Sequence, residues 1–388
     1  MKLLHFADLH IGMTNYSKVD PETGLESRLL DFFKTLDFIV DTAIKEKVDA
    51  VLFAGDTYKT RDPSPTQQRG FGQRLKRLAK NNIPVVLIVG NHDTPNVESK
   101  ANTLDIYSAL EVDNIYVFRK PELQVINTKS GPLQIIAIPW LQKEEYRTIG
   151  EKLVYMYGNI KPQHPCVVVG HLEVEGASFG SEKGLAIAND VTIPLSLLTE
   201  RRLSYVALGH IHKHQVLANP PTGGPLVVYS GSPERIDFGE EKEDKGFCLI
   251  DVSKTGISSY QFIKTNCRKF LTITVDLETD DPSPTQTILE KIKKYSLENA
   301  IVRVYINIPA RLDRQIEMDK VKKALADAHF IAGISRNVER TEREKIDLGK
   351  EVEALTPIQA LKKYFQSKKY SAEKQKELEK FASYLLES

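Results

Sequence analysis

Five short apolar runs within the first 210 residues of the chain are each followed by polar or charged side chains. The runs are four or five residues long and rich in Val, Leu and Ala, and only the first contains a polar residue, His5. This pattern is typical of strands that are buried on both faces of a sheet. In four of the five, a glycine separates the run from the polar residues. The predicted strands are residues 3–7, 50–54, 85–89, 166–169 and 205–208.

The polar side chains that follow these strands form a candidate site. Side chains beyond the carboxyl ends of such strands face a crevice rather than a core, so we expect them to converge. The set contains no Ser or Cys nucleophile, which favours chemistry carried by bound metal ions. Its members are Asp8, His10, Asp56, Asn91, His92, Asp93, His171, His210 and His212.

Oxygen and nitrogen ligands without a thiolate suit manganese, iron or zinc better than calcium or magnesium. The ligands divide into two similar groups if one aspartate is shared. Two metals about 3.5–4 Å apart can then bind a phosphate and activate a water molecule. Each short motif is weak evidence alone, whereas five of them in order at five strand ends are strong evidence.

The first 265 residues read as one α/β region. Residues 1–110 alternate strand and helix, with one amphipathic helix burying Leu29 and Phe33 and another helix at 100–109. Residues 115–265 are richer in strands. We expect the Gly-rich stretch after His171 to lie over the site.

The pattern restarts near residue 266 and changes again near residue 341. Residues 270–338 read as β-α-β-α-β, with helices at 285–295 and 318–329, which describes a small α+β domain. A charged linker at 339–353 precedes two helices, the first capped by Thr356 with Pro357 in its first turn. Their apolar stripes pack either on this chain or on a partner, and the linker favours the partner. The apolar positions are Ile358, Leu361, Phe365, Leu378, Phe381 and Leu385.

Composition narrows the class of protein. The 388 residues are 41% hydrophobic and 27% charged, with a net charge of +1, so bulk charge recruits neither nucleic acid nor membrane. A polyanion would need a local patch or metal ions. The three cysteines lack metal-ligand spacing and predict reduced thiols in a cytoplasmic protein. There is no signal-peptide pattern and no apolar run of membrane-spanning length.

The motifs D-x-H, G-D, G-N-H-D, G-H and G-H-x-H, in this order, resemble those of the calcineurin-like metallophosphoesterases. The IPW motif ending at Trp140, the YSGSP motif ending at Pro233 and the DFGE motif ending at Glu240 narrow the resemblance to the SbcD-type DNA repair nucleases. The resemblance covers essentially the whole chain. It implies an α/β fold with a four-layer αββα core at 1–265, a small α+β DNA-capping domain at 266–340, and C-terminal helices at 341–388.

The resemblance also implies ligands, partners and activity. One Mn²⁺ ion would bind Asp8, His10, Asp56 and His212, and a second would bind Asp56, Asn91, His171 and His210. His92 would be the catalytic histidine, and Asp93 would orient its ring unless it only caps the turn. The chain would be a homodimeric subunit that binds an SMC-like SbcC-type ATPase through its C-terminal helices. It would act on DNA as a 3′–5′ double-strand exonuclease and a single-strand endonuclease.

One position departs from the family pattern. The motif after the shared aspartate usually ends in Asp or His, and here Lys59 stands in its place. A lysine can hold a phosphate but cannot accept a proton. We interpret Lys59, together with Arg61, as a DNA-backbone contact, with a solvated loop lysine as the alternative. The charges of the helix bearing Arg74 and Arg77 read as a solvated face or, alternatively, a polyanion contact.

Two other functions remain open from the sequence. One is a phosphoesterase acting on small esters, although that activity requires neither the cap domain nor the terminal helices. The other is a scaffold that binds DNA and the ATPase but cuts poorly, supported only by Lys59. Turnover of a small diester against duplex DNA separates these functions.

Overall fold

The computed structural model describes residues 1–95, 100–180, 191–219, 224–254, 256–339, 359, 361–362, 364–365 and 371–387. Most of 339–353, the residues from Thr356 to Ile358, and part of the Gly-rich stretch after His171 lie outside them. The strands are β1 Lys2–Phe6, β2 Ala50–Phe53, β3 Val85–Ile88, β4 Ile115–Phe118, β5 Glu122–Thr128, β6 Gly131–Ile138, β7 Cys166–His171, β8 Tyr205–Gly209, β9 Gln215–Ala218, β10 Leu226–Tyr229, β11 Gly246–Ser253, β12 Gly256–Lys264, β13 Phe270–Asp276, β14 Ile301–Pro309 and β15 Phe330–Glu339. The helices are α1 Ser27–Lys45, α2 Pro65–Lys80, α3 Asp105–Ala109, α4 Lys143–Gly158, α5 Pro284–Lys293, α6 Met318–Ala324 and α7 Ala372–Glu387.

The chain divides into two compact units. The first comprises Met1–Ile273, Ile292–Val304 and Lys322–Ile334. The second comprises the described residues of Thr274–Lys291, Tyr305–Val321 and Ser335–Ser388. Strands β13, β14 and β15 form a three-stranded sheet in that order. No helix among the described residues has the length and apolar character needed to cross a membrane.

Two six-stranded sheets build the first unit. The first has the order β12-β11-β1-β2-β3-β4, and the second has the order β5-β6-β7-β8-β10-β9. Strands β1 to β4 are parallel in the first sheet, as are β6, β7, β8 and β10 in the second. The carboxyl ends of neighbouring parallel strands therefore lie at the same edge of each sheet.

Three apolar clusters stack these sheets between helices. One cluster joins α1 and α2 to the first sheet, a second lies between the two sheets, and a third joins the second sheet to α4. Adjacent residues Val51 and Leu52 belong to different clusters because successive side chains of a strand point to opposite faces. The layers are helix, sheet, sheet and helix, so the predicted four-layer α/β fold is confirmed.

The five strands predicted ahead of the site are confirmed, with ends within two residues of those expected. The sequence analysis missed α4, although a capping box between Gln142 and Glu145 marks its start. It also missed β5 and β9, which lie at sheet edges and carry few buried positions.

Two predicted helices are shorter than expected. The helix expected at 100–109 begins only at Asp105, because the side chain of Asn102 accepts hydrogen bonds from the N–H groups of Leu104 and Asp105 and forms a turn. The helix expected at 318–329 ends at Ala324, and Ala328 already pairs with Glu298 in a β-bridge.

The charges of α2 are partly used within the protein. Arg74 donates to Asp37 of α1 at 2.5 Å, and Arg77 donates to Asp37 at 2.8 Å and also to Asp41. The Arg74 guanidinium also lies 4.4 Å from the centre of the Phe33 ring. These two arginines therefore join α2 to α1 rather than forming only a solvated face.

Candidate metal centre

The predicted site residues meet where five strands end. Strands β1, β2 and β3 of the first sheet deliver Asp8, His10, Asp56, Asn91, His92 and Asp93, and strands β7 and β8 of the second deliver His171, His210 and His212. All nine lie in the first unit. Three groups drawn from them bring possible ligand atoms within 4.8 Å of one another, and each group contains Asp8, Asp56 or both.

Asp56 lies between two sets of imidazoles. Its Oδ2 is 3.5 Å from Nε2 of His10, and its Oδ1 is 3.5 Å from Nε2 of His171. Its Oδ1 also accepts a hydrogen bond from the backbone N–H of His92 at 2.9 Å. Burial alone would raise the pKa of Asp56, but the imidazoles of His171, His10 and His92 when protonated, together with the hydrogen bond from the His92 N–H, bring it below its usual value. One carboxylate thus faces both halves of the site.

The first half contains Asp8, His10 and His212. Nε2 of His10 and Nε2 of His212 lie 3.0 Å apart. Oδ1 of Asp8 accepts from the N–H of His210 at 2.9 Å. Within the described part of the chain, Oδ2 of Asp8 and Nδ1 of His10 are buried without a hydrogen-bond partner. Buried polar atoms are normally paired, so Oδ2 of Asp8 is an oxygen that fits a cation ligand.

The second half contains Asn91, His171 and His210. Nδ1–H of His171 donates to the backbone carbonyl of Ala54 at 2.8 Å. This contact leaves Nε2 unprotonated, 2.9 Å from Oδ1 of Asn91. Nδ1 of His210 lies 3.3 Å from the same oxygen. Nε2 of His171 and Oδ1 of Asn91 are therefore two acceptor atoms that face each other, and a cation between them would stabilise this arrangement.

The donor set fits two divalent ions. Burial lowers the pKa of His171 to about 4 and lowers the pKa of His10 well below its usual value, so both imidazoles are neutral and can donate lone pairs. Burial, reinforced by the charge of Asp56, raises the pKa of Asp8 to about 7. A cation would favour the ionised form of that carboxyl group. Carboxylate, amide and imidazole ligands without thiolates match manganese, iron or zinc.

Four of the candidate ligands have a left-handed backbone. The φ angles are 53° at Asp8, 48° at His10, 59° at Asp56 and 95° at His210. Such conformations are uncommon for residues other than glycine and cost about 1–3 kcal/mol each. Strain of this kind concentrates at functional sites, where the surrounding structure imposes it.

Glycines give the ligands room. A Cβ atom on Gly55 would lie 2.3 Å from Nδ1 of His171, and the φ angle of Gly55 is +99°. A Cβ atom on Gly90 would lie 2.1 Å from Oδ1 of Asp56. Gly55 and Gly90 are therefore required by close approach, and Gly55 also by its left-handed backbone.

Residues 1–214 match the calcineurin-like phosphoesterase family, a segment that covers more than half of the 388 residues. The chain belongs to the calcineurin-like phosphoesterase family. Membership confirms the predicted class of enzyme, a metal-dependent phosphoesterase, and agrees with a centre that holds divalent ions.

Similar proteins carry nuclease and DNA repair names. The DNA double-strand break repair protein Mre11 of Sulfurisphaera tokodaii is 29% identical over 76% of this chain and 68% of its own. The SbcD subunit of the nuclease SbcCD from Bacillus subtilis is 26% identical over 67% of this chain and 68% of its own. A solved dimetal phosphatase from Danio rerio is 11% identical over 68% of this chain and 98% of its own, with a TM-score of 0.41, too weak a likeness to bear on the site. The predicted resemblance to SbcD-type proteins is confirmed.

Within this phosphoesterase site, His92 is held by a backbone group. Its Nδ1–H donates to the carbonyl of Lys59 at 2.9 Å, and its ring lies edge-on to His10 with centroids 4.8 Å apart. Nε2 is therefore the ring nitrogen left for chemistry beside the metal ligands.

Asp93 contacts backbone groups of the neighbouring turns, whereas Nδ1 of His92 contacts the Lys59 carbonyl. The Asp93 carboxylate accepts backbone N–H groups from Thr57 at 3.1 Å, Tyr58 at 3.4 Å and Gly90 at 3.1 Å. Three backbone donors hold this carboxylate, and the Lys59 carbonyl takes the position beside Nδ1 of His92. The alternative left open by the sequence, a cap for the turn, describes Asp93 better, since it joins the loops after β2 and β3.

Lys59 and Arg61 lie in the loop beside the site. Lys59 is half-buried, and Arg61 is exposed. The Arg61 guanidinium donates to the backbone carbonyl of Thr94 at 2.5 Å and approaches that of Asn91 at 3.5 Å. Arg61 therefore also supports the turn that carries Asn91 and His92.

Sequence reasoning missed three residues that contact the ligands. Glu240 accepts from Nδ1 of His212 at 2.8 Å, and Lys245 lies 3.0 Å from Glu240. Trp140 packs its ring against His210, with centroids 5.0 Å apart. Glu240 and Trp140 end the DFGE and IPW motifs, which indicate the family but not a contact with the ligands. Lys245 lies in none of the motifs, so no sequence pattern indicates its role.

Proposed function

We propose that this phosphoesterase is a DNA nuclease that hydrolyses phosphodiester bonds with two divalent ions. Mn²⁺ is the proposed ion at both positions, and other divalent metals are the alternatives. The observation that carries the proposal is the centre itself, in which the two carboxylate oxygens of Asp56 each lie 3.5 Å from an imidazole Nε2, that of His10 on one side and that of His171 on the other. The names of its relatives favour DNA as the substrate. We assign one ion to Asp8, His10, Asp56 and His212, and the other to Asp56, Asn91, His171 and His210.

When bound, such ions polarise the phosphate and lower the pKa of a water molecule. The chain's own residues position the candidate ligands and provide a proton for the leaving oxygen. Asp93 fixes the turn that presents Asn91 and His92 by holding backbone groups of Gly90 and Thr57. The Lys59 carbonyl holds the Nδ1–H of His92, so in the imidazolium form of His92 the Nε2–H is the proton that passes to the leaving oxygen, which leaves the neutral Nδ1–H tautomer. Lys59 and Arg61 contact the DNA backbone in this proposal.

The proposal extends to assembly. The activities are 3′–5′ exonuclease on duplex DNA and endonuclease on single strands, within a cytoplasmic complex with an SMC-like SbcC-type ATPase. The separate sheet β13–β15 supports a DNA-capping domain at 266–340. Phe381 on α7 is 64% exposed and supports docking of residues 341–388 on the ATPase. A homodimer completes the proposed assembly.

The test is release of nucleotides from linear duplex DNA in Mn²⁺, comparing wild type with His92→Ala. Loss of the proton donor should lower turnover by about 10²–10⁴-fold while leaving the metal content unchanged. His164→Ala is the matched control, because His164 precedes β7 at the opposite end of that strand from His171.

Three results would contradict parts of this proposal. Loss of metal together with activity in His92→Ala would remove the assigned role of His92. Turnover of bis-p-nitrophenyl phosphate without DNA cleavage would favour the small-ester phosphoesterase. DNA binding without cleavage in any divalent metal would favour the scaffold.

A further inference from the structure

Behind His212 lies a buried carboxylate, that of Glu240. Its Oε1 accepts from Nδ1–H of His212 at 2.8 Å, and Glu240 is fully buried. Nε2 of His212 then carries the lone pair and lies 3.0 Å from Nε2 of His10. A hydrogen bond of this kind fixes both the tautomer and the ring orientation of a metal-binding histidine.

Lys245 locks Glu240 and His212 together. Its ammonium lies 3.0 Å from Oε2 of Glu240 and donates to the backbone carbonyl of His212 at 3.1 Å. It also donates to Ser232 at 2.9 Å and to Glu243 at 2.8 Å. Lys245 therefore holds the main chain of His212 and the carboxylate that holds its ring.

The position requires a carboxylate rather than an amide. Glu240 accepts two hydrogen bonds, from Nδ1–H of His212 and from the backbone N–H of Ile236 at 2.8 Å, and its Oε2 is also paired with the Lys245 ammonium. A glutamine has one acceptor oxygen, and its NH₂ group would face either Nδ1–H of His212 or both Lys245 and the N–H of Ile236. Either orientation places donors against donors in a buried site, so the contact with His212 would weaken.

The backbone of this segment is fixed from the other side as well. Glu240 ends a short 3₁₀ turn, Phe238–Glu240, and Phe238 packs in a cluster with Phe270 and Ile301. The next residue, Glu241, accepts from the N–H of Thr272 at 2.9 Å. The carboxylate therefore cannot follow a moving histidine, and instead determines where the histidine stays.

We propose that Glu240, held by Lys245, is a positioning residue that sets the affinity of the ion bound by Asp8, His10 and His212. The inference depends on the metal centre of the proposed function. Outer partners of metal-binding histidines are worth about 10–100-fold in affinity or activity. The ion bound by Asn91, His171 and His210 should not respond, since His171 is held by the Ala54 carbonyl instead.

The experiment is calorimetric titration of the full-length metal-free protein with Mn²⁺. Glu240→Gln should weaken one of two binding events by about 10–100-fold and leave the other unchanged. Glu243→Gln is the matched control, because Glu243 contacts the same Lys245 but not His212. Should Glu240→Gln fail to fold, Glu240→Asp carries the same expectation, since it retains the charge but shortens the reach to His212.

A second measurement reports the tautomer directly. In ¹⁵N-histidine spectra of the metal-free protein, His212 should carry its proton on Nδ1 in the wild type and lose that preference in Glu240→Gln. If Glu240→Gln only lowered the unfolding temperature, the proton of His212 would stay on Nδ1, so this measurement separates a positioning role of Glu240 from a purely structural one.

The results separate the inference from the proposed function. Wild-type affinity for both ions in Glu240→Gln, or equal weakening of both events, would overturn the role of Glu240 alone. So would an equal effect of Glu243→Gln. Absence of Mn²⁺ binding by the wild type would instead overturn the metal centre and the proposed function.

Discussion

His171 and His212 occupy matching places in the two halves of the site but are held in different ways. His171 donates its Nδ1–H to a neutral backbone carbonyl, that of Ala54, immediately after β2. His212 donates to the carboxylate of Glu240, which is itself paired with buried Lys245. Both arrangements leave Nε2 for an ion, so the same chemical result rests on two different supports.

The difference determines how each half can fail. A backbone carbonyl cannot be removed by substitution, so the His171 half is vulnerable mainly to steric displacement of the ring. Loss of one partner of a buried ion pair leaves the other charge unpaired and strongly destabilises the fold around it. The His212 half is therefore vulnerable to substitutions that remove the charge of Glu240 or Lys245. Hydrogen bonds to an ionised acceptor are also the stronger kind. The two halves should therefore respond to different substitutions.

The largest effect is expected where the halves meet. Asp56→Asn removes the negative charge that faces His10 and His171. We expect both Mn²⁺ ions to be lost and turnover to fall by about a thousandfold or more, since bound ions contribute several kcal/mol to the transition state. Metal analysis and a diester hydrolysis assay measure this.

The control for that change is Asp49→Asn, at the opposite end of β2. Asp49 is buried like Asp56, but it accepts from the backbone N–H of Lys2 and lies outside the site. Unchanged metal content in Asp56→Asn would show that the two halves do not share this carboxylate.

A smaller effect is expected from displacing His171 alone. In Gly55→Ala the new Cβ would collide with the His171 ring at a φ angle that alanine rarely adopts. We expect weak binding of one Mn²⁺ ion, normal binding at the His212 half, and a loss of stability larger than the backbone cost of about 1–2 kcal/mol. Calorimetry and urea unfolding give the two values.

Gly256→Ala separates the two costs of that substitution. Gly256 has a φ angle of +122° and nothing within 4 Å of its missing Cβ, so it reports the backbone cost without the collision. Equal losses in the two variants, with both ions retained, would show that the His171 ring can move aside.

The smallest effect concerns a histidine that belongs to neither half. His5 accepts from the Tyr205 hydroxyl at 3.0 Å and donates to the Leu208 carbonyl at 3.2 Å, so both of its ring nitrogens are paired. Burial lowers the pKa of His5 to about 3. Because the unfolded chain takes up this proton near its usual pKa of about 6.5, stability should fall as pH drops from there towards 3.

His5→Gln should remove that dependence. In metal-free protein, the slope of unfolding free energy against pH between about 6 and 4 should decrease by about 1.4 kcal/mol per pH unit. Urea unfolding at several pH values measures the slope. A slope equal to that of the wild type would mean that His5 is protonated in the folded state.

Much of the fold could be predicted from pattern, and the failures have physical causes. The strands ahead of the site are buried on both faces, so their apolar runs are unambiguous. Helix α4 was missed because its apolar residues stand among many exposed ones, including Val154 and Tyr155. Strand β9 was missed because an edge strand buries little and leaves little pattern.

The candidate ligands could be predicted more completely than the residues that hold them in position. The candidate ligands follow strand ends, and a strand end is visible in a sequence. The contacts of Asp93 with backbone N–H groups are not, because a side chain that binds the main chain leaves no constraint on the type of its partners. The pairing of Glu240 with Lys245 depends on a turn that only the folded chain creates.

The two sheets approach each other very closely beside the centre. A Cβ atom on Gly209 would lie 2.2 Å from the carbonyl oxygen of Ala54 and 2.7 Å from the Cβ of Ala7. Since the first sheet supplies the carboxylates and the second supplies most of the imidazoles, this contact acts as a spacer for the whole centre. The separation of the carboxylates from these imidazoles therefore depends on three of the smallest residues in the protein, Gly209, Ala54 and Ala7, none of which is itself a candidate ligand.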